Sequence, residues 1–327
     1  MAETLTLGKA LNLGLRRAME ADPKVILMGE DIGKLGGVFR ITDGLQKDFG
    51  EDRVIDTPLA ESGIIGTAVG LALRGYRPVC EIQFDGFVYP AYDQIVSQVA
   101  KIHFRSQGKV KMPIVVRIPF GGGIGAVEHH SESPEGQFVH QAGLKVVACS
   151  NPVDAYWMIQ QAIATDDPVI FMEPKRRYWE KADLDESPTE APRGLHSSRV
   201  VHEGTDATVL AYGPMVKTSL EAAIAAAEEG KSLEVIDLRT LSPLDMEPVL
   251  ESVRKTGRAV VVHEAPVTLG LGAELAARIS EHCFYSLEAP VLRVGAFDTP
   301  YPPSRVEEEY LPDLDRVLDA VDRTLAY

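Results

Sequence analysis

The chain is short of positive charge, of cysteine and of long apolar runs, and each shortage closes off a class of function. Lys and Arg number 33 against 48 Asp and Glu, a formal net charge of −15 over 327 residues. A nucleic-acid binder needs a basic face against phosphate, and an anionic membrane surface asks for the same. Neither is expected. An acidic balance speaks to solubility first and is compatible with a basic protein partner. Cysteine occurs three times, at Cys80, Cys149 and Cys283, each among apolar or β-prone residues. With no C-x-x-C and no even framework, three buried reduced thiols are expected. No apolar run reaches the ~18–20 residues of a membrane span. The opening Met1-Ala2-Glu3-Thr4-Leu5-Thr6 has neither a basic nor an apolar stretch. No secretory signal is therefore expected, and the cytoplasm is the expected location. Absent too are a P-loop motif, a G-x-S-x-G elbow and any short repeat.

What is present is an alternation of strand and helix periods. At about 150 residues per domain the length favours two domains. In the first, residues 5–20 read as an amphipathic helix with Leu7, Leu11, Leu15 and Met19 on one face. Buried-strand runs are expected at 25–28, 77–84, 113–118, 146–148 and 169–172, with helices at 64–73, 89–104 and 152–164. Composition shifts at Lys175 toward polar residues and proline, which predicts a chain running over the surface. The second domain offers strands at 207–211, 233–236, 259–262 and 291–294, and helices at 215–229, 245–255, 274–282 and 314–325. The expected fold class is α/β, with two open, mainly parallel sheets. The domains are placed at 1–185 and 200–327, joined by a linker at 186–199.

Several loops carry candidate chemistry. Gly121-Gly122-Gly123-Ile124-Gly125 follows a strand, and Gly270-Leu271-Gly272 precedes a helix. A dinucleotide fingerprint needs a further small residue three past the second glycine, where Glu128 and Leu275 stand, so that site is not expected. Asp56-Thr57-Pro58-Leu59-Ala60-Glu61-Ser62-Gly63 lies between a strand and a small-residue helix. Glu61 either complements the helix N-terminus or is a carboxyl group in an apolar setting, able to share a proton with a ring nitrogen. In Glu128-His129-His130-Ser131-Glu132-Ser133-Pro134-Glu135, Ser133 and Pro134 look like an N-cap and a first helical residue, which sets the histidines on a loop at a helix start. A neutral general base and a satisfied loop histidine both fit; His140 gives no known ligand spacing for zinc. Gln83-Phe84-Asp85-Gly86-Phe87 leaves a strand where open sheets bind ligands, and Phe87 is either a stacking ring or a core aromatic. Glu30 and Asp31 also follow a buried strand.

Taken together the segments resemble one family over the whole chain, the beta subunit of the decarboxylating component of the 2-oxo acid dehydrogenase complexes. The resemblance rests on Gly29-Glu30-Asp31-Ile32-Gly33, the Asp56-to-Gly63 segment, Glu81-Ile82-Gln83-Phe84 and Pro90-Ala91-Tyr92-Asp93-Gln94. His130-Ser131-Glu132-Ser133-Pro134-Glu135, Asp237-Leu238-Arg239-Thr240-Leu241 and Thr299-Pro300-Tyr301-Pro302 extend it. The branched-chain type looks closer than the pyruvate type; pyruvate and acetoin dehydrogenases are the alternatives. The resemblance implies a transketolase-like pyrimidine-binding domain and a transketolase C-terminal-like domain. It also implies thiamine diphosphate and Mg²⁺, with the metal ligands on an alpha subunit, and an α2β2 heterotetramer inactive without alpha. The acyl group would pass to lipoyl-lysine of an acyltransferase core.

Roles carry over from the resemblance by position. Glu61 matches the catalytic glutamate that hydrogen-bonds the pyrimidine nitrogen. Glu30, Leu59, Ala60, Gln83 and Phe87 match its cofactor surroundings. His130 matches the histidine of acyl transfer, with His129 beside it, and Phe84, Asp85, Gly86 and Phe87 fall in the substrate wall. The family's usual Ala-Asp-Tyr is replaced by Asp85-Gly86-Phe87. A structural K⁺ is implied on backbone carbonyls near Ile114, Ala162 and Asp167. Docking of the basic peripheral-subunit-binding domain is implied on the acidic surface of Glu307, Glu308, Glu309, Asp313 and Asp315.

Overall fold

Continuous runs of Val, Ile, Leu and Met become the central strands of two sheets. The computed structural model describes residues 3–327; residues 1–2, where the expected first domain opens, lie outside the described residues. The first sheet has seven strands. Their spatial order is Thr240–Ser242, Lys145–Ala148, Val169–Pro174, Val115–Phe120, Arg77–Glu81, Val25–Gly29 and Val54–Asp56. All neighbours are parallel except the Thr240–Ser242 edge. Val25–Gly29, Val115–Phe120 and Val169–Pro174 are buried at every position. Helices on both faces of a parallel sheet leave no wet side, which is why these strands do not alternate. The second sheet runs Leu292–Ala296, Ala259–Pro266, Ala207–Ala211, Leu233–Asp237 and Arg199–His202, the last antiparallel.

Helix Leu7–Ala21 buries Leu7, Leu11, Leu15 and Met19 against the first sheet's outer layer, each worth about 1.5–3 kcal/mol by apolar burial. It lies so close to helix Pro152–Ala164 that a Cβ on Gly14 would stand 2.5 Å from Ile159 Cγ2. All three cysteines are free and buried. No helix among the described residues is long and apolar enough to cross a membrane.

The structure departs from the sequence reading at several places. The first helix begins at Leu7, because Glu3–Thr6 pairs antiparallel with Lys181–Leu184. The strand at 77–84 stops at Glu81: Ile82 N–H still reaches Arg117, and then Asp85 turns inward to Lys175. The helix at 89–104 is broken into Tyr89–Gln94, a π-turn Ile95–Val99 and Ile102–Arg105. The break lets the Ala100 carbonyl seat against Gly143, where a Cβ would lie 1.9 Å away. Lys175 does not open a surface path; it and Tyr178 are each 1% exposed. Pro134 rather than Ser133 precedes the helix Glu135–Val139. The helices at 245–255 and 274–282 run Glu247–Thr256 and Leu271–Cys283.

The two sheets are stitched together by Arg239, which has φ 54° and is almost fully buried. Its Nε donates to Asp154 at 3.1 Å and its guanidinium to the Ser197 carbonyl at 2.6 Å. Thr240–Ser242 then joins the first sheet although Leu233–Asp237 belongs to the second.

Candidate active site

Five strands of the first sheet deliver their carboxyl ends to one edge. Val25–Gly29 leads into Glu30, Val54–Asp56 into Glu61, Arg77–Glu81 into Phe84, Val115–Phe120 into the histidine loop and Val169–Pro174 into Lys175. In a parallel sheet this edge is where side chains from separate loops converge on a ligand.

Glu61 is the first residue of helix Glu61–Leu73 and is 7% exposed. Its carboxylate sits where the helix dipole favours negative charge. Glu30 is buried beside it, and its Oε1 has no hydrogen-bond partner. Burial raises the Glu30 carboxyl above the usual carboxylate range, the negative charges of Glu61 and Asp31 raise it further, and the Ala60 N–H opposes them. Two adjoining buried carboxyl groups, one free to accept or hold a proton, suit a ligand with ring nitrogens and an amine. Leu59 and Ala60, on the same loop, are exposed, Leu59 to 81%.

The second group is aromatic. The His130 ring packs between Phe84, centroids 4.5 Å apart, and Phe87, 5.0 Å and edge-on. Phe84 also meets Phe39 at 5.4 Å. His130 is half-buried and His129 exposed, with φ 66°. Adjacent residues on this turn therefore face different surroundings, and only His130 joins the aromatic wall. Gln83 is half-buried beside Phe84.

Asp85, expected in the substrate wall, is fully buried. It accepts a hydrogen bond from Lys175 Nζ and one from Glu132 N–H at 2.6 Å. Burial works against both charges, raising the Asp85 carboxyl and lowering the Lys175 ammonium. The pair is thus a support beneath the histidine loop. Gly86 completes it: its N–H donates to the His129 carbonyl at 3.1 Å, and a Cβ there would stand 2.3 Å from His129 Cα. Glycine is required by close approach of backbone to backbone. Below, Arg117 holds Glu81 at 2.6 Å and Glu173 at 2.6 Å, and Tyr178 donates to Glu173 at 2.7 Å.

Phe39, Lys175 and Tyr178 were not singled out from the sequence. Lys175 follows the strand Val169–Pro174, whose Glu173 is already polar, so the sequence offered it only as the start of the polar shift. Phe39 offered only its place two residues past Gly36-Gly37.

Glu135 is buried and accepts from Tyr212 O–H at 2.6 Å; burial pushes its carboxyl up to about 7. A cavity of about 230 Å³ lies between the domains, lined in part by Ser131, Glu132, Glu264 and Tyr301. Of the expected acidic docking surface, Glu308, Glu309, Asp313 and Asp315 are exposed. Glu307 is a correction: it is buried, its carboxylate accepting from Gly123 N–H and Gly125 N–H. Asp313 caps helix Leu314–Leu325 by accepting from Arg316 N–H. At the opposite, amino edge of the sheet, the Ile114 carbonyl accepts from Val169 N–H at 2.9 Å. Asp167 faces Lys145 at 3.8 Å, and Ala162 lies near the end of helix Pro152–Ala164. Among the described residues no group of three or more His, Cys, Asp or Glu is arranged to hold a metal ion.

Comparison with known proteins adds the following. Residues 3–180 match the family described as transketolase, pyrimidine binding domain, and residues 196–317 match transketolase, C-terminal domain. The chain is 62% identical to the pyruvate dehydrogenase E1 component subunit beta of Leifsonia xyli, covering 99% of this chain and 96% of that one. It is 56% identical to the 3-methyl-2-oxobutanoate dehydrogenase subunit beta of Mycobacterium tuberculosis, covering 99% and 93%. Against the pyruvate dehydrogenase E1 component subunit beta of Bacillus subtilis it is 47% identical, covering 99% of both. A solved structure described as a split gene transketolase, inactive beta4 tetramer, superposes with a TM-score of 0.78 over 98% of both chains, at 23% identity.

Proposed function

The chain belongs to the family of E1-component beta subunits of the thiamine-dependent 2-oxo acid dehydrogenases, built on transketolase-type domains, and from that premise we propose that it forms the aminopyrimidine half of a thiamine diphosphate site. The carrying observation is Glu61 buried at a helix start beside Glu30, whose Oε1 lacks a partner. Those donors and acceptors fit an aminopyrimidine. The cofactor supplies the carbanion-stabilising chemistry of decarboxylation. Glu61 hydrogen-bonds the ring nitrogen and shares a proton there. Glu30 accepts from the cofactor with its free oxygen, Phe87 and Gln83 bound the ring, and Leu59 and Ala60 close the loop over it. Phe84, Phe87 and Phe39 exclude water from the reacting edge. His130, held between two rings, handles the proton in acyl transfer to lipoyl-lysine, and His129 stands at the mouth.

In this reading the chain works in the cytoplasm only with an alpha subunit, in an α2β2 assembly. The alpha chain supplies the Mg²⁺ ligands, and an acyltransferase core receives the acyl group. K⁺ is held near Ile114, Ala162 and Asp167, and the domains divide at 186–199. The substrate is a branched-chain 2-oxo acid, since an aromatic wall with Asp85 turned away suits an aliphatic side chain. The 62% identity to a pyruvate-type subunit supports pyruvate as the second reading. The test is decarboxylation of both acids by the co-expressed alpha and beta chains, with thiamine diphosphate, Mg²⁺ and an artificial electron acceptor. A rate ratio favouring 3-methyl-2-oxobutanoate is expected; one favouring pyruvate reverses the substrate assignment, and activity of the beta chain alone overturns the dependence on alpha.

A further inference from the structure

The glycine run 121–125 had no role in the sequence reading beyond a dinucleotide site it does not match. In the fold it is a cradle for carboxylates, and the carboxylates are the protein's own. Gly121, Gly123 and Gly125 have φ of 82°, 83° and 72°, a left-handed alternation that turns successive amides to one side. Gly122 N–H donates to Glu264 Oε2 at 3.0 Å. Gly123 N–H and Gly125 N–H donate to the two oxygens of Glu307 at 2.9 Å each. Tyr301 O–H adds a third donor to Glu307 at 2.5 Å, and a Cβ on Gly122 would lie 1.9 Å from that hydroxyl. Glu264 leaves a strand of the second sheet, and Glu307 opens the short helix Glu307–Tyr310.

The same loop carries His130. Gly121 N–H donates to the Glu132 carbonyl at 2.9 Å, closing the excursion at its base. The far limb is held by Asp85 and Gly86. The near limb has little packing of its own: residues 123–125 are exposed, as are Val127 and Glu128. Such a segment is ordered by its hydrogen bonds, and amides donating to an ionised carboxylate make stronger ones than neutral pairs.

We propose that Glu307, oriented by Tyr301, is a positioning residue for His130, by which the C-terminal domain holds the histidine loop in its working shape. The functional half of this rests on the acyl-transfer role read for His130 above; the mechanical half does not.

The experiment uses the assembled alpha–beta enzyme with Glu307→Ala, Glu307→Gln and Tyr301→Phe. Glu308→Ala serves as the exposed neighbour and His130→Ala as the reference. Hydrogen exchange at residues 121–132 reports the loop directly. For Glu307→Ala, exchange of the Gly123 and Gly125 amides rises about tenfold, with smaller rises for Glu307→Gln and Tyr301→Phe and none for Glu308→Ala. Acyl transfer to lipoyl-lysine falls about tenfold, while decarboxylation with an artificial acceptor stays within about twofold. Unchanged loop exchange in Glu307→Ala overturns the proposal. So does unchanged acyl transfer in Glu307→Ala when His130→Ala abolishes it. Should His130→Ala itself spare acyl transfer, the role read for His130 falls, and the functional half of the proposal falls with it. If Glu307→Ala does not assemble, Tyr301→Phe, which removes one hydroxyl, carries the same comparison.

Discussion

A carboxyl group at the foot of the histidine loop ties stability to pH. Burial pushes Glu135 up to about 7, above the ~4.3 of a free glutamate. Between those values the folded chain binds a proton that the unfolded chain has released. The stabilisation from this group is therefore full below ~4.3 and is lost as pH rises through about 7. Glu135→Gln keeps an acceptor for Tyr212 and cannot ionise. Its unfolding midpoint in urea, relative to the parent's, is expected to be similar at pH 5 and higher at pH 8, by a difference worth roughly 3 kcal/mol. An equal offset at both pH values would show that Glu135 does not titrate with folding. Other residue-scale features were only partly readable from sequence. That Glu61 sits at a helix start was legible in the strand–loop–helix spacing. That Glu30 adjoins it came only with the family resemblance, because the two lie beyond the ends of separate strands whose pairing no local pattern encodes.

At the scale of elements, the buried strands were legible wherever both faces are covered, since a run such as 169–172 has only one way to be satisfied. The inward turn of Asp85 was not, because its partner Lys175 lies 90 residues away. For the same reason the composition shift at Lys175 misled: the residue reads as surface and is held in the core by its charge partner. Lys175→Met leaves Asp85 buried and uncompensated, which costs about 3–5 kcal/mol. The urea midpoint should fall accordingly. Asp85→Asn combined with Lys175→Met keeps the acceptor for Glu132 N–H, removes both charges and should recover most of the loss. A single variant as stable as the parent would show that the pair does not support the loop. The Thr240–Ser242 edge strand was hidden for a related reason, since its place is set by Arg239 reaching Asp154 and Ser197.

The whole molecule is an acidic body built on two large sheets, and the loop before helix Glu61–Leu73 leaves Leu59 bare. The family and the two-sheet plan were legible because their motifs spread over the full length; the division of labour within the acidic C-terminal stretch was not. Glu308 and Glu309 face solvent, whereas Glu307 is spent inside on the glycine loop. On the reading that this exposed acidic stretch docks a basic peripheral-subunit-binding domain, docking should weaken for Glu308→Lys with Glu309→Lys, by about 0.2–1 kcal/mol for each exposed pair lost. It should weaken as salt rises and stay unchanged for Glu307→Gln, as titration calorimetry would read it. Salt-independent affinity would place the docking surface elsewhere. The claim on which the account turns is that Glu61 hydrogen-bonds the cofactor's ring nitrogen and shares a proton there. It is tested most directly by the decarboxylation rate of the assembled alpha–beta enzyme carrying Glu61→Gln, at saturating thiamine diphosphate. The account predicts a fall of about 10²-fold or more, with assembly intact; a rate within about twofold of the parent would contradict it.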